Sequence, residues 1–231
     1  MRKKFLKNTM NCIKKKYPNY DDEKLEIIEY GLESLYIMVT KTIVISLIAL
    51  VLNVFKEMLI IMILYNIIRT TAFGMHAKES WQCYIISITL FIGGALLFKY
   101  VDVSFYVKAI ISAISYIFLV IYAPADTYKR PLVNTKKRKI YKIITVINSS
   151  IFLILVIILR GSNVSTALSL GLLDSMLMIH PLTYRMFHLP YDNYKTYNEL
   201  YSWYGKICIG GIVYVYIIFI LDRFSSCFNW F

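Results

Sequence analysis

Apolar residues run along most of this chain in long blocks separated by short polar stretches. The blocks lie at about 36–55, 57–73, 81–98, 103–123, 143–160, 164–180 and 206–221. A helix crossing a bilayer at right angles needs roughly 20 such residues, so several blocks are short spans with soft ends. Upstream of the first block, Leu25, Ile28, Leu32, Leu35 and Val39 repeat on one helical face, while Glu26, Glu29 and Glu33 lie off it. This predicts an amphipathic helix beginning at Glu23 and capped by Asp21 or Asp22. It either lies in the membrane interface and leads into the first span, the reading preferred here, or is the extended start of that span. Pro18 breaks any helix in the basic stretch before it.

The pattern therefore predicts an all-α, polytopic helical membrane protein. It has about six transmembrane helices, the N-terminal amphipathic helix, and a seventh C-terminal segment at 206–221 that reads as a span or as a re-entrant or interfacial helix. The expected organisation is a basic cytoplasmic N-terminus at 1–22, one membrane domain at 23–190, and an extension at 191–231. No internal repeat is present.

Composition agrees with this reading. Of 231 residues, 58% are hydrophobic and 17% charged, against about 25% charged in soluble domains. The net charge is +12, with eight Lys/Arg in residues 1–24 and seven in 124–142. Four apolar blocks separate the two clusters, so both fall on one side. The positive-inside rule makes that side cytoplasmic, where anionic lipid also attracts them. The same count places 69–80 and 181–205 inside. Nucleic-acid binding is not expected, because no soluble basic domain carries the charge. Cys12, Cys83, Cys208 and Cys227 form no CxxC pair, and no secretory signal peptide is read, so disulfides are not implied.

The segment from Arg69 to Cys83 (RTTAFGMHAKESWQC) is where chemistry is most expected. It joins the second and third blocks on the cytoplasmic side, and loops held by rigid spans commonly carry function. A cysteine hydrolase needs a thiolate and a base that accepts and returns its proton, and Cys83 and His76 supply those groups. On one continuous helix, seven residues rise about 10 Å, too far for contact. A working pair therefore requires a helix break between them, for which Gly74 and the polar Ala-Lys-Glu-Ser stretch are suited. Ser80 is the expected N-cap of the third span, which puts Cys83 in its first turn, where the helix dipole favours a thiolate. Arg69 is a candidate for substrate orientation or oxyanion stabilisation, and Glu79 for orienting His76. Taken alone, a single His and a single Cys at a membrane boundary are more often inert.

Two stretches together carry a specific resemblance to a known family. Arg69, Gly74, His76-Ala77 and Cys83, in order and spacing, resemble the accessory gene regulator B (AgrB) family of Gram-positive quorum-sensing systems. So does Ala123-Pro124-Ala125-Asp126-Thr127, followed by Lys129-Arg130-Pro131 and the basic run 136–139. The resemblance covers roughly residues 20–190; the extension beyond 190 departs from it. It implies a bacterial cell-membrane cysteine endopeptidase with Cys83 as nucleophile and His76 as general base. Such an enzyme cuts the C-terminal tail from a small precursor, AgrD, through an acyl-enzyme. A Cys or Ser of the precursor then closes a thiolactone or lactone ring. The resemblance also carries an expectation of homodimers. No metal and no cofactor are expected.

The remaining polar groups have plainer readings. The basic loop 129–142 serves topology and lipid contact, with Lys129 and Arg130 as the candidates for holding an acidic precursor tail. Asp174 is expected to pair with Arg69 or Lys108, or to line a cavity. His180 and His188 lack partners at metal spacing. Two rival functions stand beside the peptidase: a peptide exporter with Asp174, Arg69 and Lys108 along its path, and a membrane S-acyltransferase, which would also use a Cys–His pair.

Overall fold

The structure is a computed structural model that describes residues 2–75, 77, 79–127 and 132–195. His76, Lys129, Arg130, the segment 206–221, Cys208 and Cys227 lie outside the described residues. Every named element among the described residues is helical. We number them α1 (Arg2–Lys16), α2 (Asp22–Val51), α3 (Phe55–Ala72), α4 (Ser80–Ile88, continued through a π-helical turn at Thr89–Gly93 into Gly94–Tyr100), α5 (Phe105–Tyr122), α6 (Thr135–Ile158), α7 (Asn163–Ile179) and the short α8 (Pro181–Met186).

The described residues divide into two compact units, one within 1–42 and one from 43 onward. In the first, α1 buries Leu6 and Met10 against Leu32 of α2, and Phe5 meets the Tyr36 ring at 5.3 Å. Helix α1 was not expected from the sequence; it stops at Lys16, before Pro18. Asp21 is the cap of α2, its carboxylate accepting the Lys24 N–H at 3.0 Å. The predicted amphipathic helix is not a separate element. Residues 23–39 are the first half of α2, which runs unbroken for 30 residues. With no proline between Asp22 and Val51, nothing separates an interfacial segment from the span that follows it.

The second unit is built around α7. This helix buries Ser165, Thr166, Ala167, Ser169, Gly171 and Ser175 along with Leu168 and Leu172, and it packs against α3, α5 and α6. Small residues let helix backbones approach closely where no water drives association. A Cβ on Gly171 would stand 3.2 Å from Leu64 Cβ of α3. Ser112 of α5 donates to Ser169 of α7 at 2.9 Å, and Thr145 of α6 donates to Thr71 of α3 at 2.8 Å.

The outer surface is inverted relative to a protein in water. Helix α5 buries Lys108, Ser112 and Ser115 while exposing Val107, Ile110, Ile114, Ile117 and Ile121. Helix α6 buries Thr145 and Ser149 while exposing Ile143, Ile147, Ile151, Ile154 and Ile158. Continuous exposed isoleucine stripes are stable only against lipid or another apolar surface. Four helices among the described residues are long and apolar enough to cross a membrane: Lys24–Val51, Trp81–Tyr100, Phe105–Tyr122 and Thr135–Ile158. Asn163–Ile179 is apolar but shorter, and α3 carries Lys56, Glu57 and Arg69.

The C-terminal ends of α3, α5 and α7 meet, so these three helices run the same way. Ala72, Ala125 and Met178, each at or just beyond such an end, are joined through backbone hydrogen bonds of the residues between them. The loops after these helices, and the start of α4, therefore gather at one end of the bundle.

Candidate active site

The loop-bearing end is tied together backbone to backbone. Ala125 N–H donates to Ala72 O at 3.0 Å, Gly74 N–H donates to Ala125 O at 2.8 Å, and Met75 N–H donates to Met178 O at 3.0 Å. Phe73 and Ala125 form an isolated parallel bridge, and the peptide before Pro124 is cis. Three loop ends are thereby held in register with the chain that leads to position 76.

Arg69 completes the arrangement from inside. Its Nη1 donates to Phe73 O, and its Nη2 donates to Met75 O at 2.7 Å. One planar guanidinium spans two carbonyls of the turn, a task a lysine ammonium cannot duplicate. The turn itself is strained: Phe73 sits at φ +57° and Gly74 at φ +109°. A bulky residue with positive φ persists only when its surroundings hold it there. At Gly74 a Cβ would collide with Arg69 Nη1 and stand 2.6 Å from Met178 O, so glycine is required on both conformational and steric grounds.

Helix α3 ends at Ala72 and α4 begins at Ser80, so no continuous helix joins position 76 to Cys83. The N-cap of α4 is Glu79, one residue before the expected Ser80. Gln82 Oε1 accepts the Glu79 N–H at 3.3 Å, the reciprocal contact of a capping box. Cys83 is the fourth residue of α4 and half-buried, and its N–H donates to Glu79 O at 3.4 Å.

The sequence candidates thus separate. Arg69, Gly74, Glu79 and Cys83 all belong to the one turn-and-cap segment. Arg69 and Gly74 shape its backbone, and Glu79 starts the helix that carries Cys83. The pairing expected for Asp174 is not with Arg69, whose guanidinium is turned to Phe73 O and Met75 O. His180 caps α8, its Nδ1 accepting the Leu182 N–H at 3.1 Å, and packs edge-on against Phe118 and Tyr122.

Asp126 is the residue whose role sequence reasoning missed. Its buried carboxylate accepts N–H groups from Leu132 at 3.3 Å, Asn193 at 3.0 Å and Tyr194 at 2.7 Å. Its own carbonyl accepts the Tyr184 hydroxyl at 2.9 Å. Arg138 of α6 stacks over the Tyr194 ring, 3.2 Å from its centroid. The segment after α8 is thus strapped to the loop that ties Gly74. No local pattern marks an aspartate whose partners lie nearly 70 positions away; Pro124 and the quoted motif only flag the loop as special.

Inverted helices around a small-residue core, and a cysteine near the start of the helix that follows a strained turn, define a helical membrane protein with one built loop end. The chain belongs to the accessory gene regulator B family, whose match spans residues 6–180. It is 30% identical over 179 residues to an AgrB-like protein of Clostridium acetobutylicum, covering 77% of this chain and 86% of that one. An AgrB-like protein of Listeria innocua serovar 6a is 28% identical over 178 residues, 77% of this chain and 87% of its own. The accessory gene regulator protein B of Staphylococcus carnosus is 35% identical over 128 residues, 55% of this chain and 66% of its own. No solved structure matches the chain.

Proposed function

We propose that this protein is a multi-pass membrane cysteine endopeptidase that cuts the C-terminal tail from an AgrD-like precursor peptide and promotes its cyclisation. Cys83 attacks the scissile carbonyl and His76 takes its proton. The tail leaves with that proton, and a thioester joins the remaining peptide to Cys83. A Cys or Ser of the precursor then displaces Cys83, closing a thiolactone or lactone. Exchange between thioesters is near balanced in energy, whereas water would hydrolyse the acyl-enzyme, so a membrane-edge site that limits water favours the ring. Lys129 and Arg130 hold the acidic tail, the loop end and N-terminus face the cytoplasm, and the working form is a homodimer.

The observation that carries this reading is the position of Cys83 in the first turn of α4, after a helix break that Arg69 and Gly74 build. Family membership supports the substrate class. The test uses purified full-length protein and precursor in detergent. Cys83→Ala and His76→Ala are expected to abolish cleavage while the protein still accumulates and remains helical. Cleavage by Cys83→Ala would sink the mechanism; transport of intact precursor into vesicles without cleavage would favour an exporter. A fatty-acyl rather than peptidyl adduct on Cys83 would mark an acyltransferase.

A further inference from the structure

Helix α1 carries seven cations and no acidic residue. Its first turn holds Arg2, Lys3 and Lys4, where the helix dipole favours anions. Lys3 and Lys7 stand one turn apart, where like charges repel. The helix forms all the same, because Leu6 and Met10 are buried against Leu32 of α2. A topology signal needs cations in this segment, but it does not need them aligned.

Three of the lysines are aligned. Lys3, Lys7 and Lys14 fall within about 40° of one another around the helix. All three are exposed, and they line one groove of about 310 Å³. Leu6 and Met10, both nearly buried, lie at its base, and Glu29 of α2 is the acidic residue of its lining. Three positive charges against one negative, over an apolar base that weakens screening by water, favour an anion at the rim.

One end of the groove lies at headgroup depth. A short turn makes α1 and α2 antiparallel, with Arg2 paired to Glu33 at 3.5 Å and the Phe5 and Tyr36 rings 5.3 Å apart. The exposed apolar stripe of α2 begins at Met38 and Val39 and continues through Ile43, Leu47 and Val51. Glu33 precedes Met38 by about 8 Å of helix rise, and a headgroup layer extends about 5–8 Å beyond the hydrocarbon. Lys3 therefore stands among headgroups. Lys7 lies about 6 Å further out than Lys3, and Lys14 about 16 Å further out.

We infer that the groove of the α1–α2 hairpin seats the headgroup of an anionic phospholipid, its phosphate held between Lys3 and Lys7. The phosphate supplies the counter-charge that α1 lacks. An anionic bilayer therefore holds the hairpin closed, while on a neutral one the aligned lysines repel and α1 opens more readily. Diffuse attraction to an anionic leaflet would treat Lys4 like its neighbour Lys3. A seated headgroup separates them, because Lys4 does not line the groove. An acidic peptide laid along the groove would use Lys14 as fully as Lys3. A bilayer does not, because the extra distance exceeds the Debye length of about 8–10 Å. The inference is independent of the peptidase reading.

The test measures hydrogen exchange of the α1 amides beyond its first turn, in the full-length protein reconstituted into vesicles. One set is phosphatidylcholine alone and the other is phosphatidylcholine mixed with phosphatidylglycerol. Wild type should exchange about 25-fold more slowly on the mixed vesicles, about fivefold for each lysine that the phosphate meets. Lys3→Gln and Lys7→Gln should each lose about fivefold of that protection, and Lys4→Gln and Lys14→Gln about twofold or less. Glutamine keeps helix propensity, so on neutral vesicles Lys3→Gln and Lys7→Gln should exchange no faster than wild type, which separates a lost ligand from a misfolded hairpin. Equal exchange of wild type on the two vesicles overturns the inference. So does a loss in Lys4→Gln as large as in Lys3→Gln, which would mean diffuse attraction alone. Protection on neutral vesicles by added polyglutamate, with Lys14→Gln losing as much of it as Lys3→Gln, would assign the groove to an acidic peptide instead.

Discussion

Gly74 donates its N–H to the carbonyl oxygen of Ala125 at 2.8 Å, and through this bond the loop after α3 is carried by the loop after α5. Because Ala125 returns its own N–H to Ala72 O, the two loops form a short parallel pairing at the end of an otherwise helical bundle. Met178 O, holding Met75 N–H, adds α7 as a third support. The segment leading to position 76 is therefore referenced to three helices and not to its own chain neighbours alone, the kind of rigid support that precise chemistry needs.

Gly74→Ala should break this support at its tightest point. A side chain at φ +109° is strained, and the added Cβ meets Arg69 Nη1 and Met178 O. The expected local cost is about 2 kcal/mol or more. Precursor cleavage should fall about 100-fold, the scale of a small misplacement of reacting groups. Circular dichroism should still report the helical bundle. Cleavage at the wild-type rate would show that the turn does not govern the site.

Arg69→Lys separates charge from geometry. Lysine keeps the positive charge and reaches one carbonyl, leaving Phe73 O or Met75 O without its donor. The loss of one charge-assisted bond is worth about 2 kcal/mol. Hydrogen exchange at the Gly74 and Met75 amides should quicken, and cleavage should fall about as far as in Arg69→Ala. Full activity in Arg69→Lys would mean that Arg69 acts on the substrate by charge, the alternative raised by its sequence position alone.

The two charged residues within apolar blocks show what the sequence made legible. Arg69 and Asp174 had to face protein, because lipid would not tolerate them, and both are turned inward. The break between 72 and 80 was readable for the same kind of reason, since glycine and a polar run end a helix. The partners were not readable. Arg69 serves carbonyls four and six residues on, and only the positive φ of Phe73, a residue with no intrinsic preference for it, turns those oxygens toward the guanidinium. The cap of α4 moved to Glu79 because Gln82, at the right offset, answers its N–H. Helix α1 was hidden by its seven basic residues, which read as topology signals while Leu6 and Met10 supplied a packing face.

Ser112→Ala offers a contrast that touches the bundle but not the loop end. Ser112 is fully buried and donates to Ser169, which in turn donates to Ser165 O. Losing the interhelical bond leaves no donor orphaned, so the expected cost is about 0.6 kcal/mol, typical of such bonds in membrane proteins. The unfolding temperature should drop slightly and cleavage should stay at the wild-type level. A large activity loss would show that the α5–α7 contact, and not the tied loops alone, positions the site.

Asp126 yields a pH-dependent prediction with a definite sign. Burial pushes its carboxyl above the usual carboxylate range, against the opposing pull of the N–H groups of Leu132, Tyr194 and Asn193. A carboxyl that holds its proton to higher pH folded than unfolded makes folding take up a proton. Its contribution to stability is therefore fully present below the unfolded range and is lost as pH rises through the raised folded value. As far as this group contributes, the protein should unfold at a higher temperature at mildly acid pH than at neutral pH. Asp126→Asn should abolish that dependence. It should also weaken the strap by about 1–2 kcal/mol at all pH, since an amide presents one acceptor where both carboxylate oxygens now accept N–H groups. Because Tyr184 bonds the Asp126 carbonyl and not its side chain, the anchor at α8 should survive the substitution. Identical pH dependence in the two proteins would show that another group sets it, and a strap whose amide exchange is unmoved by Asp126→Asn would be one held by the Arg138–Tyr194 stack, with Arg138→Ala then the variant that releases it.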